Sequence, residues 1–563
     1  MSIGSTLRRR PAVVGASTHL PSPPSDEEKY SYLGPQRRWP FVWIFLSQSV
    51  LVYAFVAVMV HSVATSLGLI LLTFTVPPLI VNLWLRIRRR RITLEGHITL
   101  VEQWRKGRVE WPSVDVFLPC CGEDPVVLNN TFRHVSTVEW PGRLEIHVLD
   151  DADDPQTRDL AERWGFHYVV RANRGEWKKA GNMINAFDST DGEFIAVFDA
   201  DFAPREDFLF ETVPYMAASR TGVVQTAQYF DVDSRVNEFA RYAGALQELF
   251  FRWIQPARDT YEAAICAGTN VVYKRAAVVA AGGFAKVPLG EDVHSGVKIW
   301  VADYRTRFVP LVLAKGLAPD TWAALTNQQY RWCRSSMLLM TSSFFRDAPF
   351  GWRQRVCFWA AFLYYMSSAA MVLTAVLPTS IMLWFYPQEL DSWHYLAVVP
   401  ALISTWLIFP MLARGWSPMI FRVCMINTFC HALAVTDALR NQVQAWVPTG
   451  ATGSAPKKKV GVPKRIAAIA RLWFVTAQLV VWGGVARYVG DGGDVLTIWP
   501  LLALWGLQLY MLLPLVVRLA PRAVRARRRS SRQWRLRSPT RVAAAHRVAA
   551  APHRVGAAHR AGA

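Results

Sequence analysis

Cysteine is scarce in this sequence, and the spacings that let cysteine or histidine hold a metal are missing. The 563 residues include seven cysteines with no CxxC pair and twelve histidines with no HxxxH pair. Such pairs are the usual sign of a zinc site. Most of the cysteines also fall in segments that we expect in the cytosol or the membrane, where disulfides are rare. The sequence therefore predicts neither a zinc site nor a disulfide framework.

The first residues lack the features of a secretory signal peptide. Residues 1–38 are polar and rich in serine and proline, and apolar sequence begins only near Phe41. A signal peptide would place a short apolar stretch near the start, whereas this composition is typical of disorder. We expect a disordered, cytosolic N-terminus, followed by a first membrane span that is retained as an anchor.

Acidic residues are few relative to basic ones. The chain has 42 Asp plus Glu against 63 Lys plus Arg, a formal net charge of +21. A basic excess can indicate a nucleic-acid partner, but here basic residues cluster beside apolar runs, at 86–91, 457–459 and 522–541. That distribution follows the positive-inside pattern of membrane proteins. We therefore expect a lipid bilayer, and no nucleic acid, among the partners.

Long apolar runs, by contrast, are frequent. Runs of about 20 apolar residues suffice to cross a bilayer, and their number predicts six spans with both termini in the cytosol. The predicted divisions are 1–38 (disordered cytosolic N-terminus), 39–86 (two spans), 93–350 (cytosolic globular domain), 355–413 (spans three and four), 414–463 (interfacial helix and loop), 464–518 (spans five and six) and 519–563 (basic low-complexity cytosolic tail).

Two of the membrane segments have unusual patterns. The apolar run at 357–386 is too long for one straight span, so it is either a helix kinked at Pro378 or a span followed by a re-entrant piece. Residues 417–447 carry Arg422 and Asp437 among apolar residues. That mixture is typical of an amphipathic helix at the membrane interface.

In the globular segment, short apolar runs that end in polar residues alternate with helical stretches. The runs lie at 114–119, 144–150, 166–170 and 193–201. This alternation predicts an α/β domain built on a parallel sheet, in which binding sites lie at the carboxyl ends of the strands.

Two of these runs end in pairs of acids. Asp150 and Asp151 follow one strand, and Asp199 and Asp201 follow another. Such carboxylates can hold a divalent cation that bridges two phosphates, and oxygen ligands favour Mg²⁺ or Mn²⁺. A single pair would more often be a turn whose aspartates bind backbone amides. Two pairs in one sheet favour the phosphate-binding interpretation.

Three further motifs are weak when each is taken alone. Lys179 begins a KAGN segment, Glu291 and Asp292 begin a predicted helix, and residues 328–332 read QQYRW before a membrane run. Each has an ordinary explanation: a solvated helix start, acids that suit the helix dipole, or an interfacial Trp beside a snorkelling Arg.

Taken in order, these motifs resemble the processive family-2 glycosyltransferases, which include cellulose, chitin and hyaluronan synthases. That family's signature is D, DxD, TED and QxxRW. The matching residues here are Asp151, Asp199-Ala200-Asp201, Gly290-Glu291-Asp292 and Gln328-Gln329-Tyr330-Arg331-Trp332. The resemblance covers roughly residues 36–520. It implies a GT-A (Rossmann-like) cytosolic catalytic domain inserted in an α-helical multi-span membrane domain.

The resemblance also implies roles for individual side chains in binding the sugar donor. Asp199 and Asp201 would hold Mg²⁺ or Mn²⁺ against the diphosphate. Asp151 would hold the uridine. The implied donor-binding residues are Asp151, Asp150, Glu123, Lys179 and Arg331.

The remaining motif residues would act on the acceptor. Asp292, next to Glu291, would be the general base that takes the proton from the attacking hydroxyl. Arg331 is the exception in this motif, because it would act on the donor: a negative diphosphate needs a cation opposite the metal, and Arg331 offers a fork of N–H donors. Trp332 would give the acceptor sugar a flat platform and Gln328 would bond one of its hydroxyls.

The sequence departs from the family pattern at several places. Gly290 replaces the threonine of TED, and Cys121 stands near where many relatives have a tyrosine that stacks on uracil. The loop at 447–459 is only loosely similar to the family's gating loop. No further domain is expected after the last span.

The function implied is a membrane-embedded inverting enzyme that polymerises a UDP-sugar into a β-linked polysaccharide and translocates it. The Ser-Pro-rich start and the compact length are more similar to the filamentous-fungal type 2 glycosyltransferases. That similarity implies a plasma-membrane enzyme making a surface polysaccharide needed for hyphal growth on solid surfaces. A lipid (ceramide-type) glycosyltransferase and an inactive membrane scaffold or transporter are the alternatives. The motifs do not distinguish one sugar or linkage from another.

Overall fold

The computed structural model describes most of the globular domain and parts of the membrane region. The described residues are 20–34, 38–60, 69, 72–87, 91–232, 236–374, 376–392, 396, 398–404, 412–413, 418–442 and 461–518. The predicted gating-like loop, the basic tail at 519–563 and the first nineteen residues of the N-terminus lie outside these ranges.

The apolar runs of the globular domain form strands, as predicted. The strands are β1 (Val114–Cys120), β2 (Leu144–Asp150), β3 (His167–Val169), β4 (Phe194–Val197), β5 (Phe202–Pro204), β6 (Thr221–Gln225), β7 (Tyr229–Phe230), β8 (Val271–Lys274), β9 (Arg305–Phe308) and β10 (Ala314–Gly316). β1 is buried along its whole length, which explains why its residues other than Asp115 are apolar, since such strands are covered on both faces.

The main sheet is mixed rather than wholly parallel. Its seven strands follow the order β3-β2-β1-β4-β8-β6-β9, and a small sheet of order β5-β10-β7 lies beside it. The four strands predicted from the sequence, β3, β2, β1 and β4, are parallel as expected, but β8 runs antiparallel to both β4 and β6. The reason is that β8 begins at Val271, opposite the last residues of β4 and β6. The chain therefore enters β8 from the carboxyl edge and runs back across the sheet.

Helices cover both faces of the main sheet. Those of the globular domain are Leu94–Arg105, Pro125–Val135, Pro155–Trp164, Lys179–Ser189, Phe208–Thr212, Glu238–Leu249, Gln255–Asp259, Arg275–Ala280, Glu291–Val301, Trp322–Thr341 and Ser343–Asp347. Short 3-10 turns lie at Ser31–Leu33 and Val213–Ala217, with another at Pro387–Glu389 in the membrane region, and a π-helical turn lies at Phe250–Ile254. One buried cluster, which includes Val116, Phe132 and Phe198, lies on one face, and another, with Phe117, Ile195 and Tyr273, lies on the other. This two-faced core fixes the strands rigidly, so the loops at their carboxyl ends have defined positions.

The membrane region is helical. Its helices are Trp39–Met59, Leu72–Ile87, Trp352–Thr374, Leu377–Phe385, Val398–Ile403, Pro418–Leu439, Val462–Gly490 and Trp499–Arg518. Among the described residues, three stretches have the length and composition to cross a membrane: Trp39–Ala57, Trp352–Leu373 and Val462–Gly490. A shorter apolar stretch covers Trp499–Leu513. These helices flank the globular domain in sequence on both sides.

The long apolar run is broken before Pro378. One helix ends at Thr374 and the next begins at Leu377, with Pro378 in its first turn. Proline suits a first helical turn, where its missing N–H is not needed, but not a helix interior. The run therefore forms two separate helices. This arrangement is intermediate between the two that were predicted, a single helix kinked at Pro378 and a span followed by a re-entrant piece.

The prediction of an interfacial helix supposed that Pro418–Leu439 carries its charges on a water-facing side. The structure shows otherwise. Arg422 and Asp437 are 7% and 1% exposed. The Asp437 carboxylate accepts hydrogen bonds from Arg465 at 3.1 Å and from the Tyr330 hydroxyl at 2.8 Å. A buried carboxylate needs such partners, and they lie on neighbouring helices that the sequence pattern of one segment does not reveal.

Residues 20–34 are ordered, so the prediction of disorder over 1–38 was wrong for this part. A capping box on Ser25 and Glu28 begins the short helix Asp26–Lys29. Lys29 is 5% exposed and its ammonium lies 2.7 Å from both Asp207 and Glu211. The segment also packs Tyr32, which is 1% exposed, against Phe251 and Phe308 of the globular domain, and these partners lie far away in the sequence, which is why a local reading of its composition indicated a disordered tail.

Candidate active site

The predicted acid pairs meet at the carboxyl edge of the main sheet. Cys120, the last residue of β1, is in register with Asp150 at the end of β2. Asp199 follows β4, which is the other parallel neighbour of β1. Three adjacent parallel strands therefore deliver their following residues to one place, as open α/β sheets do at ligand sites.

The two acids after β2 face different surroundings. Asp150 is fully buried, and its carboxylate accepts hydrogen bonds from the backbone amides of Ala152 and Asp154 at 2.8 Å and from the Tyr168 hydroxyl at 2.9 Å. Asp150 therefore shapes the turn and does not contact the cavity, contrary to its predicted donor-binding role. Asp151 lines the cavity instead.

Asp151 is held in place by a buried arginine. Arg171 is 3% exposed, and its Nε donates to Asp151 Oδ1 at 2.8 Å. The backbone amide of Gly175 donates to the same oxygen at 3.1 Å. These donors hold the Asp151 carboxylate in one position in the cavity wall.

Asp199, Asp201 and Glu123 form a group of neighbouring carboxylates whose negative charges repel one another. Burial, together with the charges of Asp199 and Glu123, raises the pKa of Asp201 to about 8. Burial likewise raises the pKa of Glu123 to about 7, despite the bond it accepts from the Cys121 amide at 2.6 Å. Like charges so close together disfavour ionisation. A divalent cation among these oxygens would remove that repulsion, so the donor set fits a hard metal ion.

Lys179 links this group to the loop before β8. Its ammonium donates to the carboxylate of Asp199 and, at 2.8 Å, to the carbonyl oxygen of Gly268. Burial disfavours the ammonium, but Asp199 and Glu291 outweigh burial and raise the pKa of Lys179. The sequence placed Lys179 at a helix start, and the structure shows the helix beginning there.

Glu291 and Asp292 occupy the first turn of helix Glu291–Val301, as predicted. Asp292 packs against Gly268, where a Cβ would lie 3.0 Å from the Asp292 side chain. Burial and the neighbouring charge of Glu291 raise the pKa of Asp292 to about 7. A carboxyl group with this pKa can exchange a proton near neutrality, which is what a general base needs.

The QQYRW residues lie on helix Trp322–Thr341, on the opposite wall. Gln328, Arg331 and Trp332 all line the cavity. Burial lowers the pKa of Arg331, while Glu291 and Asp199 oppose that shift. The guanidinium thus faces the carboxylates across the cavity and remains charged, since an arginine is effectively always protonated.

All of these predicted site residues, except Asp150, line one cavity of about 1060 Å³. The cavity does not end at the sheet. It continues between the membrane helices, where Tyr364, Ser368, Asn427 and Gln508 form part of its wall. The catalytic edge of the globular domain therefore opens directly into the membrane region.

Gln225, at the end of β6, is a further residue of the site region that the sequence analysis did not single out. Its side chain is fully buried and accepts from the Ala267 amide at 2.7 Å while donating to the Thr269 carbonyl at 2.8 Å. Thr269 in turn accepts from the Asp199 amide at 2.9 Å. Gln225 thus braces the loop that Lys179 and Asp292 contact.

Gln508 and Ser335 were also missed. Gln508 is a single amide in the apolar helix Trp499–Arg518, and a polar residue inside an apolar run is itself a signal of function. Ser335 lies four residues after Arg331 on the same helix, the spacing that places side chains on one face. Both line the cavity.

A second group of potential metal ligands lies away from this site. One ligand atom each from Asp115, Glu145 and His147 come within 4.8 Å of one another. Asp115 lies at the start of β1 and already pairs with Arg275 at 3.0 Å. The guanidinium supplies the positive charge there, so the group is explained as an ion-pair network.

A family profile described as "Glycosyltransferase like family 2" matches residues 112–335. The chain is 30% identical over 262 residues to the cellulose synthase catalytic subunit [UDP-forming] of Pseudomonas fluorescens, covering 46% of this chain and 35% of that protein. It is also 30% identical over 301 residues to cellulose synthase 1 of Komagataeibacter xylinus, covering 52% of this chain and 19% of that protein. The match therefore spans about a third or less of either relative's length.

Among solved structures, the chain is similar to the mannosyltransferase PcManGT from Pyrobaculum calidifontis in complex with GDP-Man and Mn²⁺. The TM-score is 0.45 at 18% identity, and the match covers 66% of this chain and 99% of that one. The residues that match the family profile, 112–335, are the ones that form the mixed α/β sheet and carry the motif residues at its carboxyl edge, so this segment is similar to a family-2 glycosyltransferase domain.

Proposed function

We propose that the chain is a membrane-embedded inverting glycosyltransferase that polymerises a UDP-sugar into a β-linked polysaccharide and moves the product into the membrane region. The observation that carries the proposal is the single cavity that joins Asp199, Asp292 and Trp332 to the membrane helices. A donor, an acceptor end and a departing chain would all be accommodated in one continuous space.

Asp292 is the residue that we assign to proton transfer. An acceptor hydroxyl attacks the anomeric carbon of the donor, the bond from that carbon to the diphosphate breaks, and the proton of the hydroxyl goes to the Asp292 carboxylate. Its raised pKa of about 7 makes the carboxylate a stronger base than an exposed aspartate. Direct displacement on an α-linked donor inverts the configuration and gives a β linkage.

The donor would be held by groups on both sides of the cavity. Asp151 would bind the uridine, with Glu123 beside it, and Arg331 would face the diphosphate with a fork of N–H donors. Lys179 would bind the same diphosphate after exchanging its present partner, Asp199, for a phosphate oxygen. The buried lysine is already charged, so this exchange needs no proton.

Asp199 and Asp201 are the residues that would hold Mg²⁺ or Mn²⁺. When bound, such an ion would neutralise the charge that develops on the departing diphosphate. The carboxylate repulsion at Asp201 favours a cation in this place.

Trp332 and Gln328 are assigned to the acceptor. Trp332 is half-buried in the cavity wall, and its ring would be the platform on which the acceptor sugar stacks. Gln328 is 7% exposed and lines the same cavity wall. A sugar hydroxyl would bond its side-chain amide and be fixed near Asp292.

The wider setting that we propose is a multi-pass protein of the plasma membrane, with the catalytic domain and both termini in the cytosol. Its partners would be a UDP-sugar, the growing polysaccharide and the lipid bilayer. The product would be a surface or cell-wall polysaccharide of a fungus that supports hyphal growth on solid surfaces. Support for this setting comes from the flanking apolar helices and from the resemblance noted in the sequence.

Donor-dependent release of UDP by the purified full chain tests the proposal. UDP-glucose, UDP-N-acetylglucosamine and UDP-glucuronic acid are each supplied with Mg²⁺ or Mn²⁺, and any product is separated into organic-soluble and polymeric fractions. We expect UDP release with at least one donor and label in long polysaccharide. Label confined to organic-soluble glycolipid would instead support the lipid glycosyltransferase, and no release with any donor would reject glycosyl transfer.

A further inference from the structure

We propose that Asp437 is a positioning residue for glycosyl transfer. Through Tyr330 it holds the helix Trp322–Thr341, and so keeps Arg331 and Trp332 in place at the cavity wall. This inference rests on the proposed function and adds to it a residue that acts without touching the substrate. It comes from the hydrogen bonds that join this helix to its neighbours in the membrane region.

Tyr330 lies behind the cavity wall rather than in it. Arg331 and Trp332, the next two residues, line the cavity, whereas Tyr330 does not. Tyr330 is 4% exposed and belongs to the same buried cluster as Val297 and Leu433. Val297 is on the helix whose first turn carries the proposed base, and Leu433 is on a membrane helix. The cluster therefore joins both walls of the catalytic cavity to the membrane region.

Asp437 holds the tyrosine through a carboxylate that is itself fixed. The Tyr330 hydroxyl donates to Asp437 Oδ2 at 2.8 Å. Arg465 binds the same carboxylate with two groups, since its Nη1 donates to Oδ2 and its Nη2 to Oδ1, each at 3.1 Å. A guanidinium that binds both oxygens fixes the plane of a carboxylate. The Tyr330 hydroxyl therefore has an acceptor with a defined position and direction.

Two further hydrogen bonds tie the helix Trp322–Thr341 to the same neighbours. At its first residue, Trp322 Nε1 donates to the carbonyl oxygen of Pro463 at 3.1 Å. Farther along, Arg334 Nη2 donates to the carbonyl oxygen of Gln442 at 3.4 Å. With the tyrosine bond between them, these contacts extend over about three helical turns. Contacts at three levels oppose both rotation of the helix and sliding along its axis.

The buried ion pair contributes direction more than stability. Asp437 is 1% exposed, and the cost of removing a charge from water largely offsets its attraction to Arg465. Hydrophobic burial, in contrast, is non-directional, so the apolar cluster alone does not define one register of the helices. The bonds of Asp437 to Arg465 and Tyr330 are satisfied in one register only. That register matters for the reaction, because a misplacement of about 1 Å costs roughly 100-fold in rate.

The kinetics of UDP release by the purified full chain test this inference. Tyr330→Phe removes the hydroxyl that binds Asp437 and keeps the ring in its cluster. The acids assigned to the uridine and the metal lie on other elements and stay in place. We therefore expect kcat to fall roughly tenfold while the donor KM changes less than about twofold. The rate is expressed per folded molecule, measured by size-exclusion chromatography in detergent, so that a loss of stability alone leaves kcat unchanged.

A second variant and a matched control separate this contact from general damage. Asp437→Asn keeps the size of the side chain but offers a weaker, neutral acceptor, so kcat should fall in the same way. The double variant should lose no more than the larger single loss, because both changes break one contact. Tyr488→Phe is the control, since the Tyr488 hydroxyl of a membrane helix donates to the Asp494 carbonyl at 3.4 Å and Tyr488 does not line the cavity. It should leave kcat unchanged.

An unchanged kcat in folded Tyr330→Phe and Asp437→Asn would overturn the inference. An equal loss in Tyr488→Phe would overturn it as well, because the effect would then not be specific to this contact. Losses that multiply in the double variant would show that Asp437 does not act through Tyr330. Failure of the proposed function is a separate result: the unchanged protein then releases no UDP with any donor, whereas failure of the inference leaves the unchanged protein active.

Discussion

Ser335 occupies the space that a side chain at Gly290 would need. A Cβ on Gly290 would overlap the Ser335 hydroxyl and lie 2.7 Å from Ser335 Cβ. Gly290 also has a φ of +69° as the residue before helix Glu291–Val301, a conformation that glycine adopts without strain. The glycine that replaces the threonine of the TED pattern is thus matched by a serine on the QQYRW helix.

Gly290→Ala should lower the rate of UDP release at least tenfold. The new methyl group would push the Trp322–Thr341 helix away from Asp292, which must stay close to Arg331 and Trp332. Gly282→Ala is the matched control, because Gly282 has a φ of +71° with nothing within 4 Å of its Cβ position. Both variants carry the same backbone strain, about 1–2 kcal/mol, so equal losses of activity would show that the contact with Ser335 is unimportant.

Asp292→Asn should reduce kcat by a factor of about 100 to 10,000, the usual contribution of a general base, while membrane abundance stays normal. The amide keeps the size of the side chain but cannot take a proton. Asp303→Asn is the control, since Asp303 is an exposed aspartate outside the cavity. Turnover by Asp292→Asn at the unchanged rate would contradict the assignment.

The pH profile should report the same group. The pKa of Asp292 is raised to about 7 by burial and by Glu291, and a general base acts only when deprotonated. We therefore expect kcat/KM to fall as pH decreases through about 7 and to level off above it, measured with saturating cation. A profile that is flat between pH 6 and 8 would show that proton transfer to Asp292 does not limit the rate.

Binding of the cation should also depend on pH, for a different reason. Asp201 has a pKa of about 8 in the cation-free site, because it is buried near Asp199 and Glu123. A cation must displace that proton, so its affinity should weaken roughly tenfold per pH unit below 8. Titration of Mn²⁺ by electron paramagnetic resonance measures this. Asp201→Asn should bind Mn²⁺ more weakly and lose the pH dependence, and an affinity independent of pH in the unchanged protein would refute the assignment.

Lys29→Met should destabilise the protein. Burial disfavours the Lys29 ammonium, but its bonds to Asp207 and Glu211 outweigh burial and raise its pKa. Removing the cation leaves two partly buried carboxylates, a loss of about 3 kcal/mol, which should lower the Tm by roughly 5 °C or more. Glu27→Gln, an exposed change in the same helix, should leave the Tm within about 1 °C. An unchanged Tm in Lys29→Met would show that segment 20–34 contributes little to stability.

Much of the domain could be read from local sequence. The strands β1 and β2 match the predicted runs because buried parallel strands need continuous apolar residues, which is a local pattern. The start of helix Glu291–Val301 and the acids in its first turn are local signals too. The order of motifs likewise indicated that these residues share one sheet edge, since parallel strands end on the same side.

Other features depend on residues far apart in the chain. Asp150 and Asp151 are adjacent and chemically identical, yet only Asp151 lines the cavity, because Tyr168 and two backbone amides engage Asp150. Asp437 suggested an interfacial helix until Arg465 and Tyr330 were seen to pair with it. In each case the sequence determined which groups were available, and their partners were decided by packing.

The cavity between the membrane helices shows most clearly which features follow from the sequence and which follow from packing. The sequence by itself determined a family-2 catalytic motif set and apolar helices on both sides of it. Only the tertiary structure placed Gln328, Asn427 and Gln508 in one wall, although they lie on three separate helices. Contact depends on distance in space, and amides nearly two hundred residues apart come to line one cavity only when the helices that carry them pack together.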